Sequence, residues 1–282
     1  MSRASRADIA AETLSILDQG FYHAPSGERV EIGESLWTAV DKTEEYPFDR
    51  EVSLEDGAHP RSEGTVIEVT NETTLSAARR LVEAGMNPVA LNFASAKNPG
   101  GGFLNGAQAQ EESLARASGL YACVKDCEMY KYHRRNKSYL YTDYAIYSPD
   151  VPVFRDDEDR LLAEPYELSF LTAPAANMSA LRQNAPERIH LASPTMARRI
   201  ERVLTIMHNE GHDSVVAGAW GCGVFGNDPI VVADHFADAL NGPLKNRFDC
   251  VVFAIYDPRE TSENLKAFRD RFTSALPFRR PN

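Results

Sequence analysis

The chain has 282 residues, 43% hydrophobic and 25% charged, an ordinary balance for a globular protein able to bury a sizeable core. No apolar run reaches the ~18–20 residues that span a bilayer, and Met1-Ser2-Arg3-Ala4-Ser5-Arg6 leads into an amphipathic stretch instead of an apolar signal core, so a cytoplasmic location is expected. A formal net charge of −11 excludes a global field that attracts nucleic acid, so direct nucleic-acid binding is not expected, and an anionic ligand would have to be held by local groups such as backbone amides. The four cysteines, Cys123, Cys127, Cys222 and Cys250, are too few for a disulfide scaffold.

The first helix is expected over residues 7–19, with apolar Ile9, Leu14, Ile16 and Leu17, and Gly20 to end it. Short β-like runs follow at Phe21-Tyr22-His23 and Arg29-Val30-Glu31-Ile32, on either side of the turn Pro25-Ser26-Gly27. Residues 45–64, with Pro47, Gly57, Pro60 and Gly64, read as a loop. Residues 1–60 are therefore taken as an N-terminal extension packed on a core domain over 61–276, with 277–282 as a frayed tail.

From Gly64 the pattern alternates strand and helix: a strand at 65–69, a helix at 72–84, a strand at 88–93, and a glycine-rich loop before a helix that opens near Gln110. The middle is less regular, with β-like runs at 144–147 and 168–171 around the acidic Asp156-Asp157-Glu158-Asp159, which reads as a solvated hairpin tip. Alternation returns with a helix at 194–208, a strand at 214–217, a second glycine-rich loop, a helix at 229–240, a strand at 250–255 and a helix at 263–274. Such alternation predicts an α/β fold, a mixed or parallel sheet with helices on both faces.

The most informative segment is Asn98-Pro99-Gly100-Gly101-Gly102, seven residues, then Gln110-Glu111-Glu112. Three glycines after a strand permit φ > 0 and let backbone approach a ligand closely. The Gln-Glu-Glu triplet would place carboxylates beside that loop, near a helix N-terminus. A triple glycine alone is a flexible turn, and a glutamate pair alone is ordinary first-turn helix chemistry; their combination at this spacing is specific.

This pattern resembles the signature of poly(ADP-ribose) glycohydrolases, and the length and N-terminal extension resemble the shorter, bacterial-type members. The resemblance covers about residues 60–275 and implies a macrodomain-like fold that binds ADP-ribose. It implies Glu112 as the catalytic acid/base, Glu111 as the neighbour that holds the ribose, and Gln110 and Gly100, Gly101 and Gly102 as part of the substrate site, with Asn98 a weaker ribose contact. The partners it implies are poly(ADP-ribose) or ADP-ribosylated macromolecules, in a DNA damage response, with no membrane and no cofactor.

The second loop, Gly221-Cys222-Gly223-Val224-Phe225-Gly226, fits G-x-G-x-x-G. The motif comes too late in the chain to open a dinucleotide fold, and little chain remains for a second half, so a Rossmann oxidoreductase is disfavoured. The loop resembles the macrodomain's diphosphate loop, with Phe225 packing on the distal ribose; a core role for Phe225 is the alternative. Thr70 and Asn71, at a strand-to-helix junction, match the position of macrodomain adenine contacts, or one of them is a helix N-cap.

No metal site is expected: His208, Glu210 and His212 lack zincin spacing, and Cys123 and Cys127 read as buried thiols. Cys222, in the ligand loop, is a candidate for oxidation. The basic, aromatic run Lys131-Tyr132-His133-Arg134-Arg135-Asn136-Lys137 reads as a solvated face, with contact to polymer phosphates as the alternative.

The implied reaction breaks an O-glycosidic bond between riboses through an oxocarbenium-like transition state, with one carboxyl as acid and then base. Two other readings use the same loops: a macrodomain that binds ADP-ribose without cleaving it, and a hydrolase of mono-ADP-ribosylated targets.

Overall fold

In chain order the elements are α1 (Arg3–Gln19), β1 (Phe21–His23), β2 (Arg29–Glu31), α2 (Gly33–Asp41), β3 (Glu44–Tyr46), β4 (Val66–Thr70), α3 (Thr74–Glu83), β5 (Pro88–Phe93), α4 (Gln110–Ala117), α5 (Leu120–Val124), α6 (Glu128–Arg135), β6 (Ala145–Arg155), β7 (Leu161–Ala173), α7 (Met178–Asn184), α8 (Ala192–Asn209), β8 (Ser214–Ala217), α9 (Pro229–Asn241), β9 (Cys250–Ala254) and α10 (Glu263–Thr273). The computed structural model describes residues 1–55, 64–259 and 261–273. The tail 277–282 and the turn signals Gly57 and Pro60 lie outside the described residues.

Seven strands form one sheet in the order β3-β6-β7-β5-β8-β9-β4. The run β7-β5-β8-β9-β4 is parallel, so five strands end at one edge. Its inner strands β5, β8 and β9 are buried on both faces, as parallel strands covered by helices must be, while the edge strand β4 is only half-buried. Val89 and Leu91 face the core under α8, α9 and α10, while Ala90 faces the core under α3, α5 and α6. Val215 and Val251 repeat the first side, Val216 and Val252 the second. The mixed sheet with helices on both faces is as the alternation predicts.

Local chemistry sets the helix ends. Thr73 caps α3 by accepting from the Ser76 amide at 3.1 Å, and Asp228 caps α9 with Pro229 at the first helical position. Neither Thr70 nor Asn71 caps α3.

Three parts differ from the reading by eye. The chain at 44–46 is not loop: it is the edge strand β3, antiparallel to β6 through Glu45↔Ile146. Glu-Glu-Tyr buries only its tyrosine, so nothing in its own pattern announces a strand; pairing alone defines it. The second difference is the length of the β6–β7 hairpin, 11 and 13 residues, far beyond the short runs visible in sequence. Pro149, Pro152 and Pro165 interrupt the apolar pattern, and the ladder absorbs Pro149 with a register shift between Ser148 and Val151, where Asp150 has φ 47°. The third is the acidic tip, which is not wholly solvated. Asp159 meets the buried Arg116 at 3.2 Å, and Asp157 accepts from Thr73 and Ser76 at the start of α3.

The N-terminal segment is tied to the core near the glycine loop. Thr13 donates to the Arg116 carbonyl at 2.7 Å, and Arg6 donates to the Gly106 carbonyl at 2.9 Å.

Arg199 of α8 is buried and satisfied at every side: it meets Asp143 at 3.0 Å and donates to the Pro174 and Leu140 carbonyls at 2.7 and 3.0 Å. Breaking such a pair from one side strands its partners. Arg199→Leu is expected to lower stability by about 3–5 kcal/mol, read as a fall in the urea midpoint; an unchanged midpoint would contradict this account.

Candidate active site

All five parallel strands deliver their C-terminal ends to one rim, the usual place for ligands in open α/β sheets. Loop 94–109 follows β5 and the loop 218–228 follows β8, its immediate neighbour. The two loops start in contact: a Cβ at Gly218 would come within 3.2 Å of the Phe93 ring and 2.7 Å of the Ala254 carbonyl oxygen.

Gln110 fixes the first turn of α4 to β5. Strand β8 pairs with β5 only as far as Ala90. Beyond it, the Phe93 amide donates to Gln110 Oε1 at 2.8 Å and Gln110 Nε2 donates to the Leu91 carbonyl at 2.7 Å. One side-chain amide thus replaces a strand partner, since buried backbone groups must be paired. A further bond from Nε2 reaches Thr74 at 3.2 Å.

The next two residues then point at the glycine loop. Glu111 is buried, and its Oε2 accepts from the Ser95 amide at 2.6 Å. Glu112 is half-buried, and its Oε1 accepts from the Gly102 amide at 2.9 Å. Gly100 and Gly101 have φ of 68° and 61°, the left-handed region that favours glycine. A Cβ on Gly101 would overlap Glu112 Oε1 and lie 2.9 Å from Glu112 Cδ and 3.1 Å from Glu111 Oε2. A Cβ on Gly100 would lie 2.8 Å from the Phe103 ring. The glycines are thus required by the carboxylates and the ring they face.

Burial holds the Glu111 carboxyl well above the usual carboxylate range, the Ser95 amide opposes it, and the charge of Glu112 adds to the rise. The buried Glu111 carboxyl therefore favours its neutral form more than an ordinary carboxyl does, and Glu112 is the more accessible of the two.

Helix α6 braces this loop from outside. His133 is buried, and its Nε2 accepts from the Thr142 amide at 3.2 Å and lies 2.8 Å from the Thr142 hydroxyl. Burial, with Arg199 adding to it, lowers His133 to about 4, so it is neutral. Arg134 donates to the Lys97 carbonyl at 2.7 Å. Tyr130, fully buried, lies beside Glu111, which helps burial push its phenol up. The 131–137 run is thus only partly a solvated face.

The second loop is held by Asn227, which donates to the Ala176 and Gly221 carbonyls at 2.8 and 3.0 Å, and by the Ser179 amide, which donates to the Phe225 carbonyl at 2.9 Å. Gly221 and Gly226 have φ of 76° and 67°. The amides of Gly223, Val224 and Phe225 make no hydrogen bond among the described residues. Val224 is 89% exposed, and Phe225, half-buried against the core, faces Tyr141 with ring centroids 6.0 Å apart. Adjacent free amides on such a loop suit an anion.

The comparisons with known proteins agree on one family. Residues 10–156 match the model of the microbial-type PARG catalytic domain. The chain is similar to the poly(ADP-ribose) glycohydrolase of Thermomonospora curvata bound to the inhibitor ADP-HPD, with 48% identity, 95% of this chain and 100% of that chain covered, and a TM-score of 0.89. It is also similar to the Deinococcus radiodurans enzyme in complex with ADP-ribose, with 41% identity, 85% and 97% covered, and a TM-score of 0.76. The chain belongs to the microbial-type PARG family. No curated protein matches it. A glutamate-to-alanine variant of the T. curvata glycohydrolase, at 48% identity over 95% of this chain, shares the fold with a TM-score of 0.89.

Within this PARG fold the structure brings Gln110, Glu111, Glu112, Gly100, Gly101 and Gly102 into one cluster. Asn98 is exposed at the loop's outer turn, its carbonyl accepting from the Gly101 amide at 2.9 Å. Asn71 is engaged at both ends of its amide with the Asp257 backbone, at 2.9 and 2.8 Å, and joins the ends of β4 and β9; the Thr70 hydroxyl is buried without a partner. Burial pushes the Cys222 thiol up to about 12, so it holds its proton and is a poor target for oxidation. The residues His208, Glu210 and His212 are dispersed: His212 meets Tyr147 at 2.8 Å and the Asn87 carbonyl at 3.0 Å, Glu210 meets Tyr46, and His208 packs on Phe248. Cys123, in α5, is buried as expected, whereas Cys127, at the start of α6, is only half-buried.

Sequence reasoning missed Ser95, Tyr130 and Tyr141 and read His133 only as part of the basic run, and the fold gathers the four from three segments. It also missed Asn92, buried, donating to Thr172 at 3.1 Å and within reach of Glu111. A lone amide inside the apolar run Val89-Ala90-Leu91-Asn92-Phe93 is the signal that could have found it.

Gly101→Ala is expected to displace both carboxylates and cut turnover about a hundredfold, the scale of a misplacement near 1 Å, with the circular dichroism spectrum unchanged; near-normal turnover would mean that the loop yields. Glu111 provides a second check. The unfolded chain releases this proton near the ordinary 4.5 while the fold retains it, so wild-type stability falls as pH rises above that value. Glu111→Gln should therefore gain in melting temperature over wild type as pH rises from 4.5 towards 7; parallel melting curves would contradict a raised Glu111.

Proposed function

We propose that this chain hydrolyses the ribose–ribose O-glycosidic bonds of poly(ADP-ribose), releasing ADP-ribose, with Glu112 as the acid/base. The observation that carries the assignment is the unequal environment of the glutamate pair: Glu111 is buried behind the loop, while Glu112 is half-buried and faces it. Related enzymes crystallised with ADP-ribose or an inhibitor support the substrate class.

The chemistry follows from this placement. Glu112, protonated, gives its proton to the leaving oxygen as the bond to the anomeric carbon breaks. The electron pair goes to that oxygen, and an oxocarbenium-like ribose remains. Glu112, now ionised, takes a proton from water as the water oxygen bonds to the anomeric carbon. Water is thus divided between the two products, and Glu112 regains its proton. Glu111 and the amides of the first loop hold the ribose. The free amides of Gly223, Val224 and Phe225 receive the diphosphate, with the Phe225 ring against the distal ribose and Thr70 and Asn71 bordering the adenine. Gly221, Cys222 and Gly226 shape that loop. Amides carry no net charge, which suits an acidic chain that must hold an anion.

A purely binding macrodomain has no need of a second, solvent-facing glutamate beside the buried one. No helix among the described residues is long and apolar enough to cross a membrane, and a cytoplasmic setting, with ADP-ribosylated macromolecules as partners, fits the activity.

Glu112→Gln should lose turnover on poly(ADP-ribose) by about 10²–10⁴-fold and still bind ADP-ribose by calorimetry. Turnover close to wild type would remove Glu112 from the reaction, and no ADP-ribose release by wild type would leave a binding module or a hydrolase of mono-modified targets.

A further inference from the structure

We propose that Lys97, Arg134, Lys137 and Arg182 form a cationic rim across the mouth of the site that holds phosphates of polymer units beyond the one being cleaved. This rests on the reading of the chain as a poly(ADP-ribose) glycohydrolase.

The positions come from the loops themselves. Arg134 is attached to the first loop through the Lys97 carbonyl, at 2.7 Å. Arg182 is attached to the second through the Gly226 carbonyl, at 3.2 Å. Lys137 lies just past the end of α6, where the chain turns extended towards Tyr139; the Tyr139 carbonyl accepts from the Asn177 amide at 2.9 Å, and Asn177 caps α7, the helix that carries Arg182. The cations therefore run from one glycine loop to the other.

Their charges are uncompensated. Among the described residues none of the four forms an ion pair, whereas the neighbouring Lys131 and Arg135 both pair with Glu128, at 3.2 and 2.7 Å. Arg134, Lys137 and Arg182 are exposed, and Lys97 is half-buried. Exposed cations without an ion-pair partner suit a polyanion held through its phosphates. In the proposed site the free amides of the second loop receive the diphosphate of the terminal unit. The rim therefore serves the next units of a flexible chain, whose contacts are electrostatic and sensitive to salt.

The test is the double variant Lys97→Gln/Lys137→Gln, whose side chains make no hydrogen bond that positions either loop. ADP-ribose affinity is measured by calorimetry, and KM for long poly(ADP-ribose) and for its dimer is measured at low and at physiological salt. The expected result is unchanged ADP-ribose affinity, unchanged kcat, a KM for long chains raised about fivefold at low salt as two exposed contacts would give, little change for the dimer, and a shallower salt dependence for long chains. Unchanged KM and salt dependence on long chains would overturn the rim. Equal losses for ADP-ribose and long chains would also overturn it, because the charges would then serve the terminal unit. Failure of wild type to release ADP-ribose from any polymer would overturn the parent reading and the rim with it.

Discussion

The site depends on a close approach: the backbone of Gly101 lies so near Glu111 and Glu112 that a single methyl group would overlap the second carboxylate. That contact links two distant requirements. The loop needs positive φ to turn its amides inward, and the helix needs its carboxyls to reach those amides. Only a residue without Cβ satisfies both. The buried Glu111, the half-buried Glu112 and the Gly102 amide are consequences of the same fit.

The two adjacent carboxyls are made unlike by depth alone. They are consecutive in sequence and near one helix N-terminus, yet burial holds the first well above the usual carboxylate range and leaves the second in reach of solvent. The outer brace, with His133 neutral beneath Tyr141 and Arg134 on the Lys97 carbonyl, gives the loop a fixed wall to lean on.

Much of this was legible in the residues. The βα alternation from Gly64 onward marks the parallel sheet because buried parallel strands read as apolar runs, and the triple glycine and Gln110-Glu111-Glu112 carry their spacing in the chain. What escaped reading has no local periodicity. Strand β3 exists only through its pairing with β6, and the β6–β7 ladder runs through prolines by means of a bulge. Ser95, Tyr130 and His133 are ordinary residues made important by what folds against them. The acidic tip looked solvated because sequence shows its charges but not Arg116, which meets one of them from within.

Gln110 has a consequence for how such a site can vary. Because its amide stands in for a missing strand at Leu91 and Phe93, the height and rotation of α4 are copied from the sheet and do not pass through the connection between them. The fifteen-odd residues of that connection can lengthen, shorten or change composition around the glycines without moving the acid, much as a crossbar keeps two rails in gauge whatever lies between the sleepers. The position of the glutamates is thus inherited from the sheet, while the chain between β5 and α4 is left to adapt to what it must hold.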